Sequence, residues 1–314
     1  VNFSQDSAIE ALSKNSHSRF DEYTEAKSNK GIRYLPTGHK HLDDAFHGWE
    51  RGKVYGIAAR PGLGKTFLAC EHMVQIDRIL PYTNAKGEVI DGDILVFSLE
   101  LTFDQIIRRF DSMLSKVSYH RLSKATLTKA EERTYSRYLR ISAKKSRILV
   151  ADKVFSLAEM KAIALARKPS IILIDGLYQA KAIRKVRGNS THEHILAISR
   201  DLKIMAKEID VPIVYTTQMN REGEGSKKFD SSFDAQKAVA FSDALVQDAD
   251  VLLVGYQTPE MKVRNSFGLQ SAKTRDGDEL SCEYELDLVD MKFGYKEGED
   301  SADPSGSAIP HVTF

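Results

Sequence analysis

The stretch Ala59-Arg60-Pro61-Gly62-Leu63-Gly64-Lys65-Thr66 has the residue types and spacing needed to hold a polyphosphate. Glycine adopts the tight-turn dihedrals that point several backbone N–H groups at one anion without a Cβ clash. A helix starting at the same point adds its own free N–H groups. Lys65 is placed to reach the β and γ phosphates, and the Thr66 hydroxyl to hold Mg²⁺. The nucleotide-contacting segment is read as Arg60, Pro61, Gly62, Leu63, Gly64, Lys65, Thr66 and Phe67, with Arg60 secondary because the following Pro61 restricts its geometry. The strict pattern has glycine where this chain has Ala59. The bland alternative is a glycine-rich loop with no chemistry. Against it stands context: an apolar strand-like run precedes the loop and a helical pattern comes after it.

Three further polar residues sit where such a loop would use them. Asp175 ends the most apolar run of the chain, Ile171-Ile172-Leu173-Ile174. A carboxylate at the C-terminal end of a parallel strand lies on the ligand-binding rim of the sheet, where it would complete the Mg²⁺ site begun by Thr66. Glu100 comes after the run 94–99 in the same way and is the candidate general base that orients water in line with the γ phosphate. Its plain alternative is an acidic residue near a helix N-terminus. Gln218 lies just past the strand-like stretch 211–216, where a neutral amide can donate to a γ phosphate and so report its presence.

The elements that must position these residues are set by periodicity. Strands are predicted at 54–59, 94–99, 147–151, 171–174, 211–216 and 251–254, and helices at 65–80, 102–117, 128–142 and 157–167. Ile195, Ile198, Leu202, Met205 and Ile209 repeat at three and four and mark a long amphipathic helix. Residues 82–91 read as a loop or short hairpin, and 267–274 with 284–290 as a later hairpin flanking Arg275-Asp276-Gly277-Asp278. Strands alternating with helices call for an α/β fold: a mostly parallel twisted sheet, helices on both faces, and a C-terminal β-hairpin extending one edge. Residues 1–30 read as a polar tail or linker with a short helix near 4–14, 31–296 as one domain, and 297–314 as a polar tail. The chain begins at Val1, so it is expected to be part of a longer one.

Several segments in fixed order resemble the motor domain of DnaB-type replicative helicases, including bacteriophage ones. They are Thr37-Gly38 with Leu42-Asp43, the phosphate loop, Phe97-Ser98-Leu99-Glu100, Ile172-Leu173-Ile174-Asp175, Ile198-Ser199-Arg200-Asp201-Leu202-Lys203, Thr217-Gln218-Met219-Asn220-Arg221, Gln247-Asp248-Ala249-Asp250 and Ala272-Lys273-Thr274-Arg275. The resemblance covers about 31–292 and implies a RecA-like P-loop NTPase core in a ring of six, with ATP between subunits and single-stranded DNA in the central channel. It tolerates alanine at the position of Ala59. It assigns water activation to Glu100, the metal shell to Asp175, γ-phosphate coupling to Gln218, and reach across the subunit interface to Lys273 and Arg275. The last pair sit two apart, so in extended backbone they share a face and would together neutralise charge on a neighbour's γ phosphate.

DNA contacts are expected from two basic stretches. One holds Lys181, Arg184, Lys185 and Arg187; the other holds Arg221, Lys227, Lys228 and Lys237 with Phe229 and Phe233. Repeated around a ring, such loops would bind a phosphate backbone without reading its bases. One departure stands out. Helicases of this kind usually carry an Arg-Glu-Ser-Gly-like element where this chain reads Ala240-Phe241-Ser242-Asp243.

Composition sets limits on the rest. Lys plus Arg is 45 and Asp plus Glu 44, a net charge of +1, so any nucleic-acid site must be local. The two cysteines, Cys70 and Cys282, are too few for a disulfide scaffold or thiolate metal site and fit a reducing compartment. No apolar run approaches a membrane span. The expectation is an ATP- and Mg²⁺-dependent DNA helicase in the cytoplasm of a bacterium or phage-infected host, with a primase or helicase loader as further partners. A recombinase forming filaments on DNA, or a regulatory RecA-like ATPase without helicase activity, are the alternatives.

Overall fold

In the computed structural model, which describes residues 19–21, 23–24, 27, 32, 34–84, 87–141, 143–184, 191–219, 243–287, 289 and 291–295, the apolar runs form the middle of a nine-stranded sheet. In chain order the described elements are α1 (Lys40–Phe46), β1 (Val54–Ala59), α2 (Lys65–Ile79), β2 (Tyr82–Thr83), β3 (Val89–Ile90), β4 (Ile94–Ser98), α3 (Phe103–Ser115), α4 (Tyr119–Ser123), α5 (Lys129–Ile141), β5 (Ile148–Asp152), α6 (Leu157–Arg167), β6 (Ile171–Asp175), α7 (Thr191–Ile209), β7 (Ile213–Gln218), α8 (Asp243–Asp248), β8 (Val251–Tyr256), α9 (Pro259–Val263), β9 (Ser266–Thr274), β10 (Ser281–Asp287) and β11 (Lys292–Tyr295). The strand order is β11-β10-β9-β8-β1-β7-β6-β4-β5. From β8 to β5 all pairings are parallel; β9, β10 and β11 join antiparallel at the β8 edge.

The near-continuous apolar strands feed two cores because successive side chains point to opposite faces. Tyr55, Ile57, Ile94, Val96, Ile171, Leu173 and Val214 join α2 and α3 on one face. Val54, Ala58, Leu95, Phe97, Ile172, Ile174, Ile213 and Tyr215 join α6 and α7 on the other. Gly56 is needed where the sheet centre is tightest: a Cβ there would lie 2.5 Å from Leu252 Cδ1 and from the Tyr215 hydroxyl.

Parallel pairing also aligns the strand ends. Ala59 is level with Gln218 and Gly255, and Ser98 with Asp175, so the segments leaving the C-terminal ends of β1, β4, β6 and β7 emerge on one rim. Helix α3 starts cleanly after Glu100 because Thr102 and Gln105 form a reciprocal capping box.

Some expectations shift. Gln218 is the last residue of β7, not past it. Of the two readings for residues 82–91, the short hairpin is the one observed, β2 against β3. The late hairpin pairs Ser281 with Gln270, and a third strand, β11, extends it, so this edge is wider than the sequence reading allowed. The helix expected near 4–14 and the tail from 297 lie outside the described residues. Among the described residues no helix is long and apolar enough to cross a membrane.

Candidate nucleotide site

The loop between β1 and α2 has the backbone that glycine permits. Gly62 has φ +81° and Gly64 φ +77°, and the direction in which a Gly62 side chain would point holds no atom within 4 Å. Gly64 is the N-cap of α2, so the first N–H groups of that helix open toward the loop. Lys65 is only 7% exposed, yet it makes no ion pair among the described residues. A nearly buried ammonium that no described carboxylate contacts directly, with Asp175 its nearby charge, is suited to receive an anionic ligand. The Phe67 side chain is 2% exposed in the apolar core, so a contact of this residue with a phosphate would be through its backbone.

Asp175 is fully buried at the end of β6. The Thr66 hydroxyl lies 3.0 Å from both of its oxygens, and the Thr216 hydroxyl donates to Oδ1 over 2.7 Å. Thr216 in turn accepts from the Gly176 N–H at 2.8 Å. Burial pushes the Asp175 carboxyl above its ordinary range; the Glu100 charge adds to this, while Thr216, Thr66 and the Lys65 charge oppose it. A hydroxyl and a carboxylate on the floor of a phosphate loop are the hard oxygen donors that Mg²⁺ takes, so the residues fit that ion. Neighbouring strand order brings Thr216 here: β7 lies between β1 and β6.

Glu100 is held to the same rim by the Leu99 N–H bonding to the Asp175 carbonyl at 2.9 Å. Its Oε1 is buried with no hydrogen-bond partner among the described residues. An acceptor oxygen with unused capacity, beside the phosphate loop, is what proton removal from water requires. Gln218 is exposed on the rim, its amide donating to the Tyr178 hydroxyl at 2.7 Å.

Lys273 and Arg275 lie elsewhere. Thr274 pairs with Val251, the first residue of β8, whereas Ala59 pairs with Gly255 near its end. The two cations are therefore displaced from their own phosphate loop by roughly 13 Å of strand. Lys273 Nζ donates to the carbonyls of Val246 (2.6 Å) and Gln247 (2.8 Å), and Arg275 Nη2 to that of Gln247 at 3.0 Å, all at the C-terminal end of α8. Burial and then the Arg275 charge lower the Lys273 pKa.

Of the expected DNA contacts, Lys181 is exposed just past the C-terminal edge of the sheet, its backbone bonded to Phe155 and Leu157. Arg184 is committed locally: Asp201, 4% exposed on α7, pairs with its guanidinium at 2.6 Å and accepts from its backbone N–H at 3.1 Å. Its charge is thus matched within the chain by Asp201, with the arginine side chain still 45% exposed. Lys185, Arg187, Arg221, Lys227, Lys228, Lys237 and the 240–242 departure lie outside the described residues. Sequence reasoning gave no role to Thr216, Tyr178 or Asp201; the available signals were the polar ends of apolar strands for Thr216 and Tyr178, and the family-like segment 198–203 for Asp201.

The DnaB-like helicase C-terminal domain model matches residues 34–293. The chain is 30% identical over 238 residues to the replicative DNA helicase DnaB of Buchnera aphidicola subsp. Acyrthosiphon pisum, covering 72% of this chain and 48% of that protein. It is 32% identical over 240 residues to its counterpart in Buchnera aphidicola subsp. Baizongia pistaciae, covering 73% and 47%. The chain thus spans about half the length of the curated relatives it matches. A solved DnaB-like replicative helicase, described together with its interactions with primase, superposes with a TM-score of 0.77 at 23% identity, over 91% of this chain and 69% of that one. That likeness shows the fold, which is the RecA-like α/β architecture expected from the strand–helix pattern. With the family model spanning nearly the whole described domain, the chain belongs to the DnaB-like helicase C-terminal domain family.

Proposed function

We propose that this chain is the ATP-driven motor of a replicative DNA helicase, with residues 31–296 as the motor domain. The observation that carries the reading is the convergence of Lys65, Thr66, Asp175, Thr216 and Glu100 on one rim, with Lys273 and Arg275 held at the opposite end of β8. ATP would place its phosphates in the Gly62–Gly64 turn against Lys65 and the α2 N-terminus. Thr66 and Asp175 would hold Mg²⁺, which when bound supplies positive charge shared by the β and γ phosphates. Glu100 orients a water on the γ phosphate and accepts its proton. Gln218 senses whether that phosphate is present.

Lys273 and Arg275 cannot serve their own loop from where they stand, which favours action on a neighbour's nucleotide. A homohexameric ring with ATP at its interfaces meets that requirement. Single-stranded DNA would pass along the basic loops, contacted through its backbone, in the bacterial or phage-infected cytoplasm. Primase is a natural further partner, by analogy with the solved relative.

The test is an ATPase titration with single-stranded DNA. Turnover is expected to rise by about tenfold or more as DNA saturates, because productive geometry is assembled around the strand. Turnover that stays flat across the titration would remove the helicase reading and leave a nucleotide binder.

A further inference from the structure

Tyr178 stands between two residues of the proposed machinery. It lies in the one-turn 3-10 segment Leu177–Gln179 directly after Asp175 and Gly176, and it remains 39% exposed. Its hydroxyl accepts from Gln218 Nε2 at 2.7 Å, and Gln179 Nε2 approaches it at 3.3 Å. On the other side is Glu100. Gly176 has φ +88°, and a Cβ on it would fall 2.6 Å from Glu100 Cγ and 3.1 Å from Oε1, so the Glu100 side chain lies against this turn. Burial raises the Tyr178 pKa, the Gln179 amide opposes this, and the nearby charge of Glu100 adds to the rise.

A phenol has one proton to donate and lone pairs to accept with. Here the hydroxyl oxygen accepts from the Gln218 amide, and the turn that carries the ring is the one against which the Glu100 side chain packs. From this juxtaposition we infer that Tyr178 is a positioning residue linking the phosphate sensor Gln218 to the base Glu100. When the Gln218 amide is drawn to a γ phosphate, the hydroxyl loses that donor and the 176–179 turn that backs the Glu100 side chain loses that tether to β7. The aim of the base then depends on the state of the nucleotide. The inference rests on the roles proposed for Glu100 and Gln218.

Tyr178→Phe removes one exposed oxygen and keeps the ring, so it tests the link with the least disturbance. Steady-state ATPase of the full assembled chain is expected to show kcat lowered about tenfold, as for a catalytic group slightly mis-aimed, with KM for ATP within about twofold. The ratio of turnover with and without single-stranded DNA is expected to fall toward one. In a cycle with Gln218→Ala, the double variant should be no slower than Gln218→Ala alone, since both break one connection. An unchanged kcat, a rise in KM alone, or losses that multiply in the double variant would each overturn the link. Binding of a fluorescent ADP analogue and the melting temperature monitor folding. Gln218→Ala on its own is expected to reproduce the loss of kcat and of DNA stimulation, and normal values there would overturn the link even without the tyrosine variant. Glu100→Gln separates the two levels. Retained turnover in that variant removes the base assignment and this inference together. Abolished turnover with a normal Tyr178→Phe enzyme removes the inference alone.

Discussion

At the C-terminal end of the parallel strands, side chains bond to one another: Thr66 and Thr216 to Asp175, and Gln218 to Tyr178. At the N-terminal end of β8, Lys273 and Arg275 bond instead to backbone carbonyls of α8, with Asp250 Oδ1 3.6 Å from Arg275 Nη1. The first arrangement is pre-organised around a carboxylate, and burial holds its geometry. The second rests mainly on neutral acceptors at a helix C-terminus, where cations are favoured but only modestly, with one carboxylate, Asp250, at 3.6 Å from Arg275. Bonds between such cations and a phosphate are charge-assisted and roughly twice as strong as neutral ones. The contrast assigns different needs to the two ends. One is built within a single chain, and the other, in the proposed ring, would gain its stronger partner from a second copy.

The sharpest way to break this contrast is at the rim. Glu100→Gln keeps the shape of the side chain and removes its basicity. Turnover should fall on the order of 10³-fold, within the range for loss of a general base, while affinity for ATP changes by less than about threefold. Single-turnover ATPase together with nucleotide titration checks both halves. A variant that keeps wild-type turnover would move the chemistry away from this rim.

The opposite end gives a smaller effect, because Lys273 remains when Arg275 is removed. Arg275→Ala is expected to lower turnover about 10²-fold, less than the loss of a lone arginine finger. Nucleotide binding to the same chain's own loop should hold. Mixed with Glu100→Gln subunits, it should recover part of the activity, since some interfaces then combine an intact base with an intact neighbouring arginine. Mixtures that form rings and stay inactive at every ratio would argue that the two ends do not share a site.

These two regions also differ in how far the sequence reveals them. The phosphate loop, Asp175 and Glu100 are local: each comes after a strand-like apolar run, and parallel pairing alone puts them on one rim. Thr216 and Tyr178 depend on which strands are neighbours, here β7 beside β6, and no local pattern states that order. Asp201 and Arg184 are 17 residues apart, and only the return of α7 along the sheet brings them together. The separation of Lys273 and Arg275 from the loop needs the antiparallel pairing of β9 with β8, which the hairpin reading foresaw as an edge extension without its register. Strand length and type were readable because two-sided burial demands continuous apolar runs. Strand order was not, because it is set by packing between distant segments.

The smallest expected effect lies beneath the rim, where the helix that carries Lys65 also carries a buried histidine. His72 on α2 is fully buried, its ring edge-on to His39 at 5.0 Å and to Trp49 at 5.3 Å between centroids. Burial holds its pKa far below the ordinary 6.5, and the charges of His39 and His41 push the same way. The folded state therefore keeps His72 neutral while the unfolded chain protonates it below that value. Its contribution is intact above pH 6.5 and is lost as the pH falls, by up to about 1.4 kcal/mol per pH unit. His39 and His41, each lowered to about 4 chiefly by burial, act in the same direction. Asp43, raised to about 6 by burial, takes up its proton first in the folded state and so opposes them. The acid limb of the wild-type stability curve is therefore shallower than the histidines alone would make it, and the informative quantity is a difference. His72→Leu loses polar packing at every pH, but its urea midpoint should fall less than the wild type's between pH 6.5 and 5.5, by the equivalent of about 1 kcal/mol. Parallel curves would mean that His72 finds a proton in the folded state, and that the core under the phosphate-loop helix is more polar than its burial implies.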